Sequence, residues 1–275
     1  MKKLTIQILL LTVSFMAVGQ VGHFEKLKRL INLNQCDKAL ELIDSMIAEK
    51  QATNIVYYYK ASCEREEKLF ESSIMSATAA LKTTIESDSL YPRILLERSL
   101  SYAFAGKLDS GIADNETLLK MFPNDVGYLL NMSFLYGENQ QLDDCIKTLR
   151  RALAIDSLDV EIIVNLVYYS NETRDYKTTI EYATKGLTIT KDSVWISSLL
   201  NSLGFAQSET LSLEAGLKTV EQAVAFRPSN PYAYFNLGRI YLKKKNVDEA
   251  CKNFKIAKQL GAINLTTEYL ERYCN

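Results

Sequence analysis

Apolar residues recur along this chain at helical spacing, in short blocks separated by polar turns. Toward the C-terminus they stand at Tyr234, Leu237, Gly238 and Tyr241, and then at Ala250, Phe254 and Ala257. Steps of three and four place such residues on one face of an α-helix, so the block predicts two helices with a polar turn between them. Composition agrees. Sheets rich in hairpins need many turn residues, and the 275 residues include only 11 Gly and 4 Pro. Leu, Ala, Lys and Glu are plentiful, and all are good helix formers.

The beat returns 34 residues earlier, with Leu200, Leu203 and Gly204 in register, then Gly216, Val220, Ala223 and Pro228. Gln207 stands in the Tyr place, a departure. The preceding unit lies 37 residues back, with Leu166, Thr179 and Ala183 in register. Its extra length is expected in the loop around Lys191, Asp192 and Ser193. Another 34 residues back stand Leu129, Met132, Ser133 and Tyr136, then Cys145, Leu149 and Ala152. Before them come Leu95, Ser99 and Tyr102, then Gly106, Leu108, Gly111, Leu118 and Pro123, with Asn115 in the Phe place as a second departure. Tyr57, Ala61, Ser73, Ala77 and Ala80 follow loosely, and Leu27, Leu30, Ala39, Ile43 and Met46 come first. Seven units result, starting near 20, 54, 92, 126, 160, 197 and 231.

The spacing has a physical cause. Small residues at the eighth and twentieth places let two helices approach closely. Large ones at the fourth, eleventh and twenty-fourth fill the space between layers. One hairpin cannot bury its apolar faces alone, so neighbours must stack. The pattern resembles the tetratricopeptide repeat. That resemblance implies an all-α fold: a right-handed superhelical α-solenoid of about seven helical hairpins across residues 20–275. A final amphipathic segment at 265–274 reads as a capping helix, with Leu265 and Leu270 apolar beside Glu268, Glu271 and Arg272.

The first nineteen residues differ from the rest. Lys2 and Lys3 precede a mostly apolar stretch from Leu4 to Val18, and Ala17-Val18-Gly19 supplies small residues before Gln20. This predicts a signal peptide over 1–19. The apolar run is short for a span of about 20 residues. The mature chain is therefore expected to be periplasmic or secreted, with no membrane span. Removing two Lys and no acid leaves 30 positive against 33 negative side chains, a net of −3. A slightly acidic chain lacks the basic footprint that nucleic acid requires.

Little in the sequence promises catalysis, and the chain reads as non-enzymatic. The only His is His23, near the expected mature N-terminus, where a general base would be poorly held. GxxxxGK[ST] and GxGxxG are both absent. Paired acids such as Asp143-Asp144 and Glu66-Glu67 read as solvated helix surface. No CxxC occurs, so neither a metal nor a cofactor is expected. Of five cysteines, Cys251 and Cys274 stand where a bridge would pin the cap helix, and this ending resembles that of other exported repeat proteins. Cys36 and Cys63 are a second, weaker candidate pair, and Cys145 reads as a buried thiol.

In the tetratricopeptide family the first helix of each unit lines the concave face. The resemblance implies a protein or peptide partner held there. At the sixth place stand Asn131, Asn165 and Asn236, with Ser202 between. In peptide-binding relatives an Asn here holds ligand backbone, since an amide can both give and accept a hydrogen bond. The ninth place reads Phe134, Tyr168, Phe205 and Arg239, and Tyr232 and Phe235 stand nearby. Two readings remain open for these aromatics: walls of a groove, or self-packed core. The basic clamp that some relatives close on a terminal carboxylate is incomplete here, with only Arg239 and Lys243 near Asn236. A glycan- or small-molecule-binding accessory role is the alternative. The single Trp195, expected in a loop between units, weakens it.

Overall fold

The computed structural model describes residues 22–274, and the predicted signal segment lies outside them. Among the described residues there are fifteen helices and no strand. The chain divides into two compact units, Met1–Asn139 and Gln140–Asn275.

The first unit holds α1 (22–32), α2 (Cys36–Ala48), α3 (Asn54–Glu66), α4 (Phe70–Leu81), α5 (Tyr91–Phe104), α6 (Leu108–Met121) and α7 (Val126–Glu138). Each helix from α2 to α6 packs on the next in the chain, and α3, α5 and α7 also meet in succession. The residues that set the beat are the ones buried. Leu27, Ala39, Ile43, Met46 and Val56 form one cluster. Ala61, Ala77, Ala80 and Ile94 form another. Each fully buried Leu or Ile contributes about 1.5–3 kcal/mol relative to exposure.

Several buried polar groups in this unit are joined in chains, although Asn131 Oδ1 is buried without a partner. The Ser73 hydroxyl donates to the Ala61 carbonyl at 2.7 Å and sits 2.7 Å from the Ser101 hydroxyl. Asn115, the residue in the Phe place, donates to the Tyr128 carbonyl at 2.9 Å. Its own side-chain oxygen accepts from Asn131 Nδ2 at 2.9 Å. The departure from the pattern is thus compensated by a hydrogen-bonded pair rather than by apolar filling.

The second unit holds α8 (Leu142–Ile155), α9 (Val160–Glu172), α10 (Tyr176–Ile189), α11 (Ser193–Thr210), α12 (Leu213–Phe226), α13 (Pro231–Lys243), α14 (Val247–Gln259) and α15 (Ile263–Tyr273). The core of its later hairpins gathers Leu200, Val220, Ala223, Ala233, Leu237 and Ile240. Gly238 is required by close approach: a Cβ there would stand 2.5 Å from the Phe254 ring. Gln207, the other departure, accepts a hydrogen bond from Thr219 Oγ1 at 2.7 Å.

Two expectations are corrected in this unit. The extra length before the sixth repeat does not form a loop around Lys191–Ser193. Only residues 190–192 separate α10 from α11, and α11 runs 18 residues where α9 and α13 run 13. Asp192 makes this so, because its carboxylate accepts from the N–H groups of Val194 and Trp195 and starts the helix early. Trp195 therefore sits in the first turn of α11 and not in a loop.

Asp and Asn cap several helices in the same way, as Asp125 does for α7, Asp159 for α9 and Asn230 for α13. The stops follow one geometry. After α3, Lys68 takes φ 61°, its N–H bonds to the Arg65 carbonyl at 2.9 Å, and the Leu69 N–H bonds to the Glu64 carbonyl at 2.7 Å. This closes the last turn on a left-handed residue. Asn34, Lys50, Arg174 and Lys245 end their helices alike, as do Gly106 and Gly261.

Candidate ligand cavity on the first helices of the second unit

The first helices of three successive hairpins, α9, α11 and α13, lie in contact in chain order. Their shared face is hollowed into a cavity of about 410 Å³. That volume lies in the range of small-ligand pockets and suits one or two side chains of a bound segment. α9 contributes Asn165, Tyr168 and Glu172, and α11 contributes Ser198, Asn201, Ser202 and Phe205. α13 contributes Tyr232, Phe235, Asn236 and Arg239, and Leu265 of α15 completes the rim.

The floor is rich in amides, and most are tied down on one side. Asn236 Nδ2 donates to Asn201 Oδ1 at 3.0 Å. Asn171 Nδ2 donates to the Ser202 carbonyl at 3.1 Å, while its buried Oδ1 has no partner. Asn230 donates to Ser197 Oγ at 2.9 Å and caps α13 with its oxygen. These bonds fix the amides in place. The Asn165 side chain, by contrast, makes no hydrogen bond among the described residues. It can both give and accept one.

The walls are aromatic and carry one cation. The Arg239 guanidinium lies 4.2 Å from the centroid of Phe205 and 5.7 Å from that of Phe235. No carboxylate pairs with it among the described residues. Two ring faces thus hold the charge in place while leaving its donors open. Lys243, one turn further, is spent in an ion pair with Glu209. Tyr176 sets its ring edge against Phe205 at 6.1 Å, and burial, reinforced by Glu209, raises its hydroxyl above the ordinary range.

The cap helix closes one side. Tyr269 stands edge-on to Phe235 at 5.3 Å and also meets Phe254 at 4.9 Å. A disulfide joins Cys251 of α14 to Cys274 at the end of α15, with Cα atoms 5.5 Å apart.

Eight residues singled out from sequence meet in this cavity: Asn165, Tyr168, Ser202, Phe205, Tyr232, Phe235, Asn236 and Arg239. The two readings of the aromatics divide among them. Phe205 is 8% exposed and belongs to the core, while Tyr168 and Tyr232 are 50% and 55% exposed. Asn131 and Phe134 belong to the first unit. Asn131 is buried, and its amide nitrogen donates to Ser99 Oγ at 3.1 Å and to Asn115 Oδ1. It serves the core there and is corrected as a ligand group. Phe134 packs 6.2 Å from Phe104, which stacks on Phe70 at 5.5 Å.

The candidate pair Cys36 and Cys63 is also corrected. Both are free buried thiols in one cluster. Burial, joined by a hydrogen bond with Cys36, raises the Cys63 thiol well above its usual range and so withholds the thiolate that exchange requires. Burial likewise pushes Cys145 up to about 12. Asn171, Asn201, Asn230 and Leu265 were missed from sequence. Asn201 lies next to the sixth place and Asn230 precedes a Pro-started helix, which are the only signals they carried.

Among the described residues there is no group of three metal-ligating side chains, and no helix is long and apolar enough to cross a membrane. The fold defines the chain as a helical-repeat protein built of tandem hairpins. A family model for the tetratricopeptide repeat matches residues 219–252, from within α12 through α13 into α14. That stretch is similar to a tetratricopeptide repeat. A tetratricopeptide repeat protein from Parabacteroides merdae superposes with a TM-score of 0.76 at 16% identity, covering 93% of this chain and 99% of that one. The C-terminal part of a repeat-containing protein from Cytophaga hutchinsonii gives 0.65 at 12%, covering 88% and 96%. The Cut9-Hcn1 structure of the APC/C gives 0.66 at 13%; the match covers 90% of this chain but only 48% of that one. No curated protein of matching sequence was found.

Proposed function

We propose that the chain is a non-catalytic scaffold of the bacterial cell envelope that holds a segment of another protein on the face formed by α9, α11 and α13. One observation carries this reading. The cavity combines an amide without a partner at Asn165, an unpaired guanidinium at Arg239 and half-exposed aromatic walls at Tyr168 and Tyr232. Exposed aromatics beside open donors and acceptors are costly in water and favourable against a peptide, which offers apolar side chains and backbone groups together. The Cys251–Cys274 bridge supports a periplasmic or secreted location, since such bonds persist in oxidising compartments. So does the signal-like start of the sequence.

A second reading has a specific observation behind it. Five asparagines and two serines line a compact cavity with aromatic walls, a chemistry that also suits a sugar. Affinity capture from envelope extracts separates the two, comparing the wild type with Asn165→Ala/Tyr232→Ala. Both residues reach solvent, so the variant should fold. Loss of a protein partner that the wild type retains supports the scaffold. The same partners on both proteins would remove the cavity from that role. Melting-temperature shifts with oligosaccharides, abolished in the variant, would favour the sugar.

A further inference from the structure

The wall of the cavity formed by α15 buries few of its own side chains. The helix has 11 residues, of which Thr266 alone is fully buried. Ile263 and Leu265 are largely exposed. Helices of this length are marginal without tertiary support. Two of its attachments are the Tyr269 ring against Phe235 and Phe254, and the disulfide from its end back to α14.

Those attachments run directly into the cavity. Phe235 lines it and carries one face of the Arg239 guanidinium, and Tyr269 covers the Phe235 ring on another side. Leu265 supplies the rim. The bridge itself faces outward, into an open cleft of about 570 Å³ lined by Cys251, Cys274, Lys252, Lys255 and Tyr273. Small reductants therefore reach it; Lys255 brings a positive charge to the cleft, while Asp248 also lines it and Lys252 is paired with Glu249. Exposed disulfides are the ones that exchange readily.

We infer that the Cys251–Cys274 disulfide is a redox latch on the ligand cavity: oxidised, it holds α15 as the wall; reduced, it releases the wall and opens the site. This inference rests on the proposal that the cavity binds a ligand, and concerns how that site is regulated. The chemistry balances with a dithiol as reductant. One thiolate attacks a sulfur of the bridge, and the Sγ–Sγ bond breaks. The second thiol then displaces the mixed disulfide. The protein gains two electrons and two protons as two thiols, and the dithiol becomes a cyclic disulfide. Tyr269 acts as a positioning residue, ordering Phe235 and through it Arg239.

The test needs no ligand, so its failure is distinct from failure of the binding proposal. Hydroxyl-radical footprinting and hydrogen exchange are read on the full chain in three states: oxidised, treated with dithiothreitol, and as Cys251→Ser/Cys274→Ser. The expected result is a rise of about threefold or more in labelling at Leu265, Phe235 and Tyr269, with lost protection across 263–273. Tyr168 on α9 should stay constant. Unchanged labelling in both altered states would overturn the latch. Loosening of α15 with Phe235 unchanged would overturn its link to the cavity. Loss of protection throughout α9 to α14 would overturn it too, because the bond would then hold the whole unit. Dithiothreitol acts on wild-type protein that has already folded, so a folding defect in the double variant cannot hide the answer.

Discussion

Gly204 and Gly216 face each other across the α11–α12 hairpin so closely that neither tolerates a side chain. A Cβ on Gly204 would lie 2.9 Å from the Gly216 carbonyl oxygen, and one on Gly216 would lie 2.6 Å from the Gly204 carbonyl oxygen. The obstacle in both cases is backbone, which cannot rotate away. Gly216→Ala is expected to lower stability by about 1–3 kcal/mol through overpacking, against the gain in helix propensity that Ala would bring elsewhere. Thermal unfolding followed by circular dichroism checks it, and a melting temperature equal to wild type would refute the close approach.

A pH effect follows from Glu64. Burial raises its carboxyl above the ordinary range, although Ser76 Oγ donates to it at 2.6 Å and Lys60 pulls the other way. A carboxyl that holds its proton more tightly in the fold than in the unfolded chain penalises folding when ionised. The penalty is present above the folded-state pKa and is relieved as pH falls through it toward the unfolded value. Glu64→Gln, which keeps an acceptor for Ser76, should therefore melt higher than wild type at neutral pH. The gain should shrink on acidification to about pH 4, near the ordinary carboxylate range. A constant difference across pH would refute the burial argument.

Asn131→Ala separates structural from ligand-facing asparagines. The substitution removes two buried hydrogen bonds and strands Ser99 and Asn115. A loss of about 1–3 kcal/mol in denaturant unfolding is expected, with partner capture unaffected once the protein is folded. Loss of capture without loss of stability would restore Asn131 to the binding face.

The repeat was legible because its small residues are obligatory. Gly238 under Phe254 and the Gly204–Gly216 contact admit no substitute, so they stand in register whatever surrounds them. The candidate face was less legible, because its residues answer to neighbours one layer away. Asn131 and Asn165 occupy the same place in their units. Asn131 is drawn inward by Asn115 in the preceding hairpin, whereas the residue corresponding to Asn115 for Asn165 is the buried Leu149, which offers no partner. The early start of α11 was signalled by Asp192, a good N-cap residue that reads equally well as part of a loop. Helix stops were the least visible. Most of the left-handed residues that end helices are Asn, Lys, Gln or Arg rather than Gly.

Those stops leave the molecule with unspent thermal reserve. A side chain in the left-handed region costs roughly 1–2 kcal/mol, and Gly avoids most of it. Lys68→Gly, which is not among the residues lining the cavity, should raise the melting temperature by a few degrees, and a fall on calorimetry would show that the Lys68 side chain compensates in another way. Repeated at Lys50 and Lys245, the exchange offers a sturdier specimen for crystallisation or partner screening in which every wall of the cavity keeps its native chemistry.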